Sequence, residues 1–387
     1  MKIAIDATPV LNGRRAAKRH SKNLLDALFR LDTMNTYTLF YSDWRRRQPG
    51  DALFPKHSDI RENRVPIPGR FLHQLWRCFA LPKAEWMLGD LDILYAPDLY
   101  FPPARRGVVL STIRGLAYHI ILNHVAADVA SSLQQALRYT LKHADYLVAV
   151  SKTTRNELVE HLDISPERIF VVQHGVDSSF RQLADQGALA FRLAEKFGIT
   201  SPYILYVGEI GRHKNVMGIL RAYLRIREHG FSLPLIMAGP PGSGWEEART
   251  WVANNGLDQH VYFLGHVDQD TGDLTDLYNG AVLFVFPSFY EGWTAPPLEA
   301  MACGTPVITS NCSSLPETVE DAAIQVDPYD IDEFAAQMER VLDDESLRQE
   351  MIEKGLKHVS SHTWEKAGRK LMNVFHDIHE RGPWRRK

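Results

Sequence analysis

Cysteine is scarce. Cys78, Cys303 and Cys312 are the only three in 387 residues, and they have neither metal-ligand nor redox spacing, which points to a reducing compartment. Long apolar runs are missing too. No stretch approaches about 18 consecutive apolar residues, so no membrane-spanning helix is expected. The apolar part of MKIAIDATPVLNG is too short for a signal peptide, and Asp6 interrupts it. The glycines of GPPGSGW are not followed by Lys-Ser or Lys-Thr, which argues against a P-loop. There is no serine nucleophile elbow and no His/Cys cluster. Asp-x-Asp occurs at Asp90/Asp92, Asp268/Asp270 and Asp330/Asp332, but such pairs arise freely among 47 acidic residues, and no metal is expected. The basic stretches match no nucleic-acid-binding pattern, and neither low-complexity segments nor short repeats are present.

What is there is ordinary globular material, 45% hydrophobic and 24% charged, in a chain long enough for two cored domains. Short continuous apolar runs recur at 2–6, 37–42, 91–97, 107–113, 144–151 and 168–177, with helix-like stretches between them. After a polar, helix-prone stretch at 178–200 the pattern restarts at 203–209, 234–239, 261–265, 281–288, 305–311 and 322–328. Apolar strands alternating with helices imply parallel sheets covered on both faces. The expectation is an α/β chain of two doubly wound domains, 1–178 and 201–363, with 179–200 as linker and 364–387 as an amphipathic helix. Ligands of such folds bind beyond the carboxyl ends of the strands, here in a cleft between the two domains.

Two of those strand-end loops carry chemistry. In FYEGWTAPPLEAMACG, a helix starts near Thr294, with Pro296 and Pro297 in its first turn and Gly304 fit to end it. Gly292, Trp293, Thr294 and Ala295 keep their N–H groups, and a helix start is a natural phosphate seat. Glu291 precedes that seat and Glu299 lies just inside the helix, so both carboxylates can flank it and accept from vicinal sugar hydroxyls. The plainer reading of each acid is a helix cap. The loop EIGRHKN supplies Arg212 and Lys214, either as cations for a diphosphate or as a solvated basic turn.

With YVGEIGRHKN, LIMAGPPGSGWEE, SHTWEKA and above all the long string VYFLGHV…FVFPSFYEGWTAPPLEAMACGTPVITSN, the sequence resembles the retaining glycosyltransferases of family 4, which have the GT-B fold of two Rossmann-like domains. The resemblance implies that Glu291 contacts the donor sugar and Glu299 the ribose. It implies that Lys214 and a nearby Arg hold the diphosphate, that Gly208 and the backbone up to Ala295 approach the donor, and that the stretch ending at Val267 walls the base. It places the first domain on the acceptor side, His174 with Gly175 at the hinge, and the helix from Trp364 back against the first domain. It implies a metal-independent, retaining transfer in which the leaving phosphate takes the acceptor proton, and it leans toward mannose.

The sequence also departs from the family. Relatives carry a Gly-rich loop where this chain has Ala16–His20, including Lys18; a His-Asp pair where it has Arg114–Gly115; and an Arg where it has Glu209, leaving Arg212 as substitute. Arg114 could instead bind phosphate or an acidic acceptor. The expected activity is transfer of a hexose from a nucleotide diphosphate sugar to a glycan or lipid-linked glycan in surface polysaccharide or lipopolysaccharide assembly. The alternatives are a catalytically silent sugar-nucleotide-binding protein and a sugar-nucleotide epimerase. No cofactor and no nucleic-acid partner are expected.

The expected location is cytoplasmic, with peripheral membrane association as a further option. Residues 1–180 hold 24 Lys and Arg against 18 Asp and Glu, while the remainder holds 20 against 29, a basic first half that would favour an anionic partner. RFLHQLWRCFALP sets Phe71, Leu72, Leu75, Trp76 and Phe79 at helical spacing, a stripe for the core or for a membrane surface. Arg45 to Arg47 read either as a lipid-attracting cluster or as a solvated loop.

Overall fold

A computed structural model describes residues 1–12, 15–42, 54, 60–124 and 127–384, without the side chains of 12, 15 and 16. Arg45 to Arg47 lie outside the described residues. The chain divides into two compact units. Unit 1 comprises Met1–His119, Asp128–Gly175 and Trp364–Lys387; unit 2 comprises Ile120–Ala127 and Val176–Thr363. Residues 179–200, expected as a linker, belong to unit 2 and contain the helix Gln186–Phe197, which Arg192 ties to Asp276 through two 2.7 Å bonds.

Unit 1 is built on β1 (Lys2–Asp6), β2 (Thr36–Ser42), β3 (Ile60–Val65), β4 (Ile93–Ala96), β5 (Val108–Ile113), β6 (Tyr146–Ala149) and β7 (Ile169–Val171). They form one sheet in the order β3-β2-β1-β4-β5-β6-β7, every pair parallel. Unit 2 has β8 (Tyr203–Val207), β9 (Leu235–Ala238), β10 (Val261–Gly265), β11 (Ala281–Phe286), β12 (Val307–Ser310) and β13 (Ile324–Val326), ordered β10-β9-β8-β11-β12-β13 and again all parallel. The central strands are short and mostly apolar because helices cover both faces, leaving no polar face to alternate with.

In each sheet the strand order reverses once, between β1 and β4 and between β8 and β11. The helices on either side of such a point leave in opposite directions, which opens a crevice at the carboxyl edge. The sequence therefore fixes where chemistry belongs: after β8 and β11 in unit 2, and after β1 and β4 in unit 1.

The helix Trp364–Arg381 belongs to unit 1 and packs on the helix Arg15–Leu31. Its buried residues Trp364, Ala367, Gly368, Leu371, Val374, Phe375 and Ile378 follow the three-and-four spacing of one helical face. Gly368 sets the approach, since a Cβ there would meet the backbone of Ala27 and Leu28 at 3.3 Å. Leu371, Phe375 and Ile378 are fully buried, each worth ~1.5–3 kcal/mol.

Candidate active site

The loop after β8 begins with Gly208, whose N–H donates to Ala238 O at 2.9 Å. The next strand end is equally tight. A Cβ on Gly239 would sit 1.7 Å from Gly208 O, so these two backbones meet only because neither residue has a side chain there. Glu209 folds its carboxylate over Gly211 and Gly242. The chain then makes the short 3-10 turn Arg212–Lys214, closed by Asn215 in the left-handed region (φ 56°), which caps the helix Val216–Glu228 through Gly218 N–H. Asn215 Nδ2 donates to Pro328 O at 2.8 Å and fixes the turn from the other side.

That turn brings Lys214 Nζ to 2.5 Å from Glu291 Oε1, and both side chains are largely buried. The same ammonium lies 5.2 Å from the centre of the Phe286 ring at the end of β11. Glu291 is held by its backbone: its N–H donates to Ser313 Oγ, and its carbonyl accepts from the Ser313 and Ser314 hydroxyls at 2.6 and 2.8 Å. His213, next to Lys214, has its pKa depressed to about 4, chiefly by burial and then by the Lys214 charge. It stays neutral at physiological pH and adds no charge beside the lysine.

The helix Pro296–Ala302 follows, with Trp293 and Thr294 buried ahead of it and Gly292 and Ala295 partly exposed. Trp293 stacks on His362, ring centres 6.0 Å apart. Glu299 is almost fully buried and accepts from the Tyr278 hydroxyl at 3.0 Å. Tyr278 reaches it from the helix Asp273–Gly280; a contact set by tertiary packing leaves no mark in the local pattern around Glu299. Val267 follows β10 on the same edge of the sheet and is partly exposed.

Arg212 does not join this group. Its guanidinium bonds Glu247 at 3.2 Å and lines a separate cavity of about 300 Å³ with Arg221, Phe289 and Tyr329. In unit 1, Arg114 is likewise engaged, its Nη2 2.6 Å from Asp98 Oδ2, both partly exposed. Lys18 is exposed, and Ala16–His20 lie within the helix Arg15–Leu31, where the family comparison had pointed to a loop. His174 stacks on buried His20 at 3.7 Å and lies near Trp364 at 5.8 Å. Burial and the charge of Arg114 take His20 down to about 3, and His174 falls well below its ordinary value through burial, His20 and Arg114.

Two residues that sequence reading passed over stand at the reversal point of unit 1. Asp6 ends β1 and Asp98 follows β4. Burial raises Asp6 to about 6 against the bonds from Thr8, and the charge of Asp98 adds to the rise. The available signal was a lone acid inside an apolar strand. Among the described residues no three His, Cys, Asp or Glu side chains gather as a metal site. The Asp-x-Asp pairs have local partners instead: Asp92 accepts from Lys2 N–H, Asp268 from Asp270 N–H, and Asp330 caps its helix at Glu333. No described helix is long and apolar enough to cross a membrane.

The two halves of the chain match known families separately. Residues 17–180 match the family described as Glycosyltransferase Family 4, and residues 191–358 match Glycosyl transferases group 1. The O-antigen chain mannosyltransferase B of Escherichia coli is 30% identical over 309 residues, which cover 79% of this chain and 80% of that protein. This chain belongs to glycosyltransferase family 4. The glycosyltransferase also matches the serotype-specific mannosyltransferase WbdA of Escherichia coli, at 30% identity over 58% of this chain and 28% of that protein. In fold it resembles the sucrose-phosphate synthase of Thermosynechococcus elongatus, with a TM-score of 0.75 at 20% identity, covering 99% of this chain and 100% of that one. Its two parallel-sheet units are those of the GT-B fold.

Proposed function

We propose that this glycosyltransferase moves a hexose from a nucleotide diphosphate sugar to a glycan or lipid-linked glycan, with retention of anomeric configuration and without a metal. What supports the reading most is the 2.5 Å contact between Lys214 and Glu291 on the loops at the reversal point of the unit 2 sheet, with the buried Glu299 in the helix that follows Glu291. A largely buried cation paired with one acid, with a second buried acid eight residues further along the chain, suits a diphosphate with a sugar at each end. The mannosyltransferase relative makes mannose the first donor sugar to test and surface polysaccharide assembly the first context.

In this mechanism Lys214 neutralises the charge that develops on the departing diphosphate. A charge-assisted hydrogen bond of this kind is worth roughly 1.5–3 kcal/mol. Glu291 pairs with the lysine and holds the donor sugar hydroxyls. Glu299, oriented by Tyr278, takes the ribose hydroxyls. The bond from the anomeric carbon to phosphate oxygen breaks, the bond to the acceptor oxygen forms on the same face, and the acceptor proton passes to the leaving phosphate. Arg212 is left out of this scheme because its guanidinium is paired with Glu247.

The test is incubation with a panel of sugar nucleotides, with and without glycan acceptors and a chelator. Release of nucleoside diphosphate with an axial or equatorial linkage matching the donor supports the reading. An altered sugar on an intact nucleotide would mean epimerisation, and tight binding without turnover would mean a silent binding protein.

A further inference from the structure

The helix Gly69–Phe79 has two apolar stripes. Leu72 and Trp76 are buried and fill unit 1, whereas Phe71 and Phe79 are 53% and 68% exposed. The apolar exposure continues past the helix, with Leu81 at 39% and Trp86 at 64%. At 100° per residue, Phe71, Leu75, Cys78 and Phe79 share one face beside the core-facing pair. The sequence left this stripe between the core and a membrane; the structure puts Leu72 and Trp76 in the core and leaves Phe71 and Phe79 outside it. Three large aromatics exposed within sixteen residues of chain are unusual for a surface without a partner.

The charge of the surroundings identifies one. Residues 69–83 contain Arg70, Arg77 and Lys83 and no Asp or Glu. Arg105 and Arg106, both exposed, are held against the Trp86 turn: their backbone N–H groups donate to Glu85 Oε1 at 2.6 and 2.7 Å, and Ala84 N–H donates to Pro103 O. Glu85, the one acid between Glu62 and Asp90 in the sequence, thus has an oxygen occupied by the loop that presents two arginines. A second copy of this face would set arginines against arginines, whereas an anionic lipid surface complements both the aromatics and the cations. The same helix touches the carboxyl edge of its own sheet, since His73 stacks on Tyr100, ring centres 4.8 Å apart, just beyond β4.

We propose that Phe71, Phe79, Leu81 and Trp86, ringed by Arg70, Lys83, Arg105 and Arg106, dock unit 1 on an anionic bilayer. The docking deepens the lipid-linked acceptor reading and rests on it only for its purpose; the binding itself is measured without donor or acceptor.

The experiment is co-sedimentation of the full chain with vesicles of about 30 mol % phosphatidylglycerol in phosphatidylcholine, against pure phosphatidylcholine. The protein is expected on the anionic vesicles, with binding that weakens as salt rises. Phe79→Ser with Trp86→Ser should lower the binding at least ~tenfold, and Arg105→Glu with Arg106→Glu should remove its salt dependence. Each variant is checked by thermal melt; all four side chains are exposed, so the fold should persist. A fluorophore on exposed Cys78, in a Cys312→Ser background, should shift to the blue on docking. Wild-type protein that ignores anionic vesicles, binds both kinds equally, or dimerises in solution through this face would overturn the proposal. Loss of vesicle binding with unchanged nucleoside diphosphate release would uphold it whether or not the acceptor is lipid-linked.

Discussion

Lys214 and Glu291 are 77 positions apart in the chain, and their side chains meet at 2.5 Å. The acid and the lysine pair directly, both largely buried, so in the proposed reaction a diphosphate would take Lys214 from Glu291 or share it.

The two partners should therefore fail in different ways. Lys214→Ala should weaken binding of UDP or GDP by roughly 10–100-fold, the loss of one charge-assisted contact. Glu291→Gln should leave that binding equal or tighter, because the lysine is released, yet cut transfer by about 100-fold or more. Calorimetry on each variant and a nucleoside diphosphate release assay separate the two. Equal weakening of diphosphate binding in both would reduce Glu291 to a prop for the lysine.

Tyr278 is expected to act through Glu299. Tyr278→Phe removes the hydroxyl that donates at 3.0 Å to a nearly fully buried carboxylate. Stability should fall by about 1–3 kcal/mol, and nucleoside diphosphate affinity should fall while the turnover of bound donor changes less. Denaturant melts and a KM-against-kcat comparison check this; an unchanged KM would detach Glu299 from the ribose.

Gly239→Ala should be among the most damaging small substitutions in unit 2. Its methyl would lie 1.7 Å from Gly208 O, backbone that has no room to retreat, at a cost of at least ~3 kcal/mol. Gly187→Ala is the control. In the helix Gln186–Phe197 its methyl would meet nothing closer than Asp185 Oδ1 at 3.5 Å, and a gain of about 0.5–1 kcal/mol is expected. Chemical denaturation of both variants reads the difference.

Acid should loosen unit 1 through its stacked histidines. His20 titrates near 3 in the folded chain against 6.5 when free. The unfolded state therefore takes up a proton that the fold refuses. The stability tied to neutral His20 is complete above 6.5 and is lost as pH falls toward 3, at up to ~1.4 kcal/mol per pH unit. His174 acts in the same direction. Asp6 opposes them, since its raised value of about 6 makes the fold favour the protonated acid as pH drops. His20→Phe should flatten the acid limb of a stability-against-pH curve between pH 6.5 and 4, and an unchanged limb would mean that other groups set it.

The alternation of apolar runs announced the parallel sheets because central strands such as β4, β5, β6, β9 and β12 are buried along their whole length and are mostly apolar. β3 escaped notice for the opposite reason. IRENRV is an edge strand, partly or fully exposed along its length, so nothing forces its residues to be apolar. The meeting of Lys214 with Glu291 was legible because it depends on strand-end position. Lys214 and Glu291 fall on the two strand-end segments beside the sheet reversal, and Glu299 in the short helix that follows the second. The site was illegible where side chains choose among neighbours distant in the chain. Arg212 turns to Glu247, Arg114 to Asp98, and Tyr278 comes from another helix to orient Glu299. Spacing along the chain carries no information about those choices.

The helix Trp364–Arg381 covers residues such as Leu24, Leu25 and Leu28 in unit 1. During synthesis those leucines leave the ribosome more than three hundred residues before the surface that shelters them. Until then the earliest-made half waits with an open apolar flank, exposed to chaperones and to self-association. Its maturation is bound to completion of the later half, so a truncation between Gly175 and Trp364, which removes that helix, would harm the part of the molecule already made.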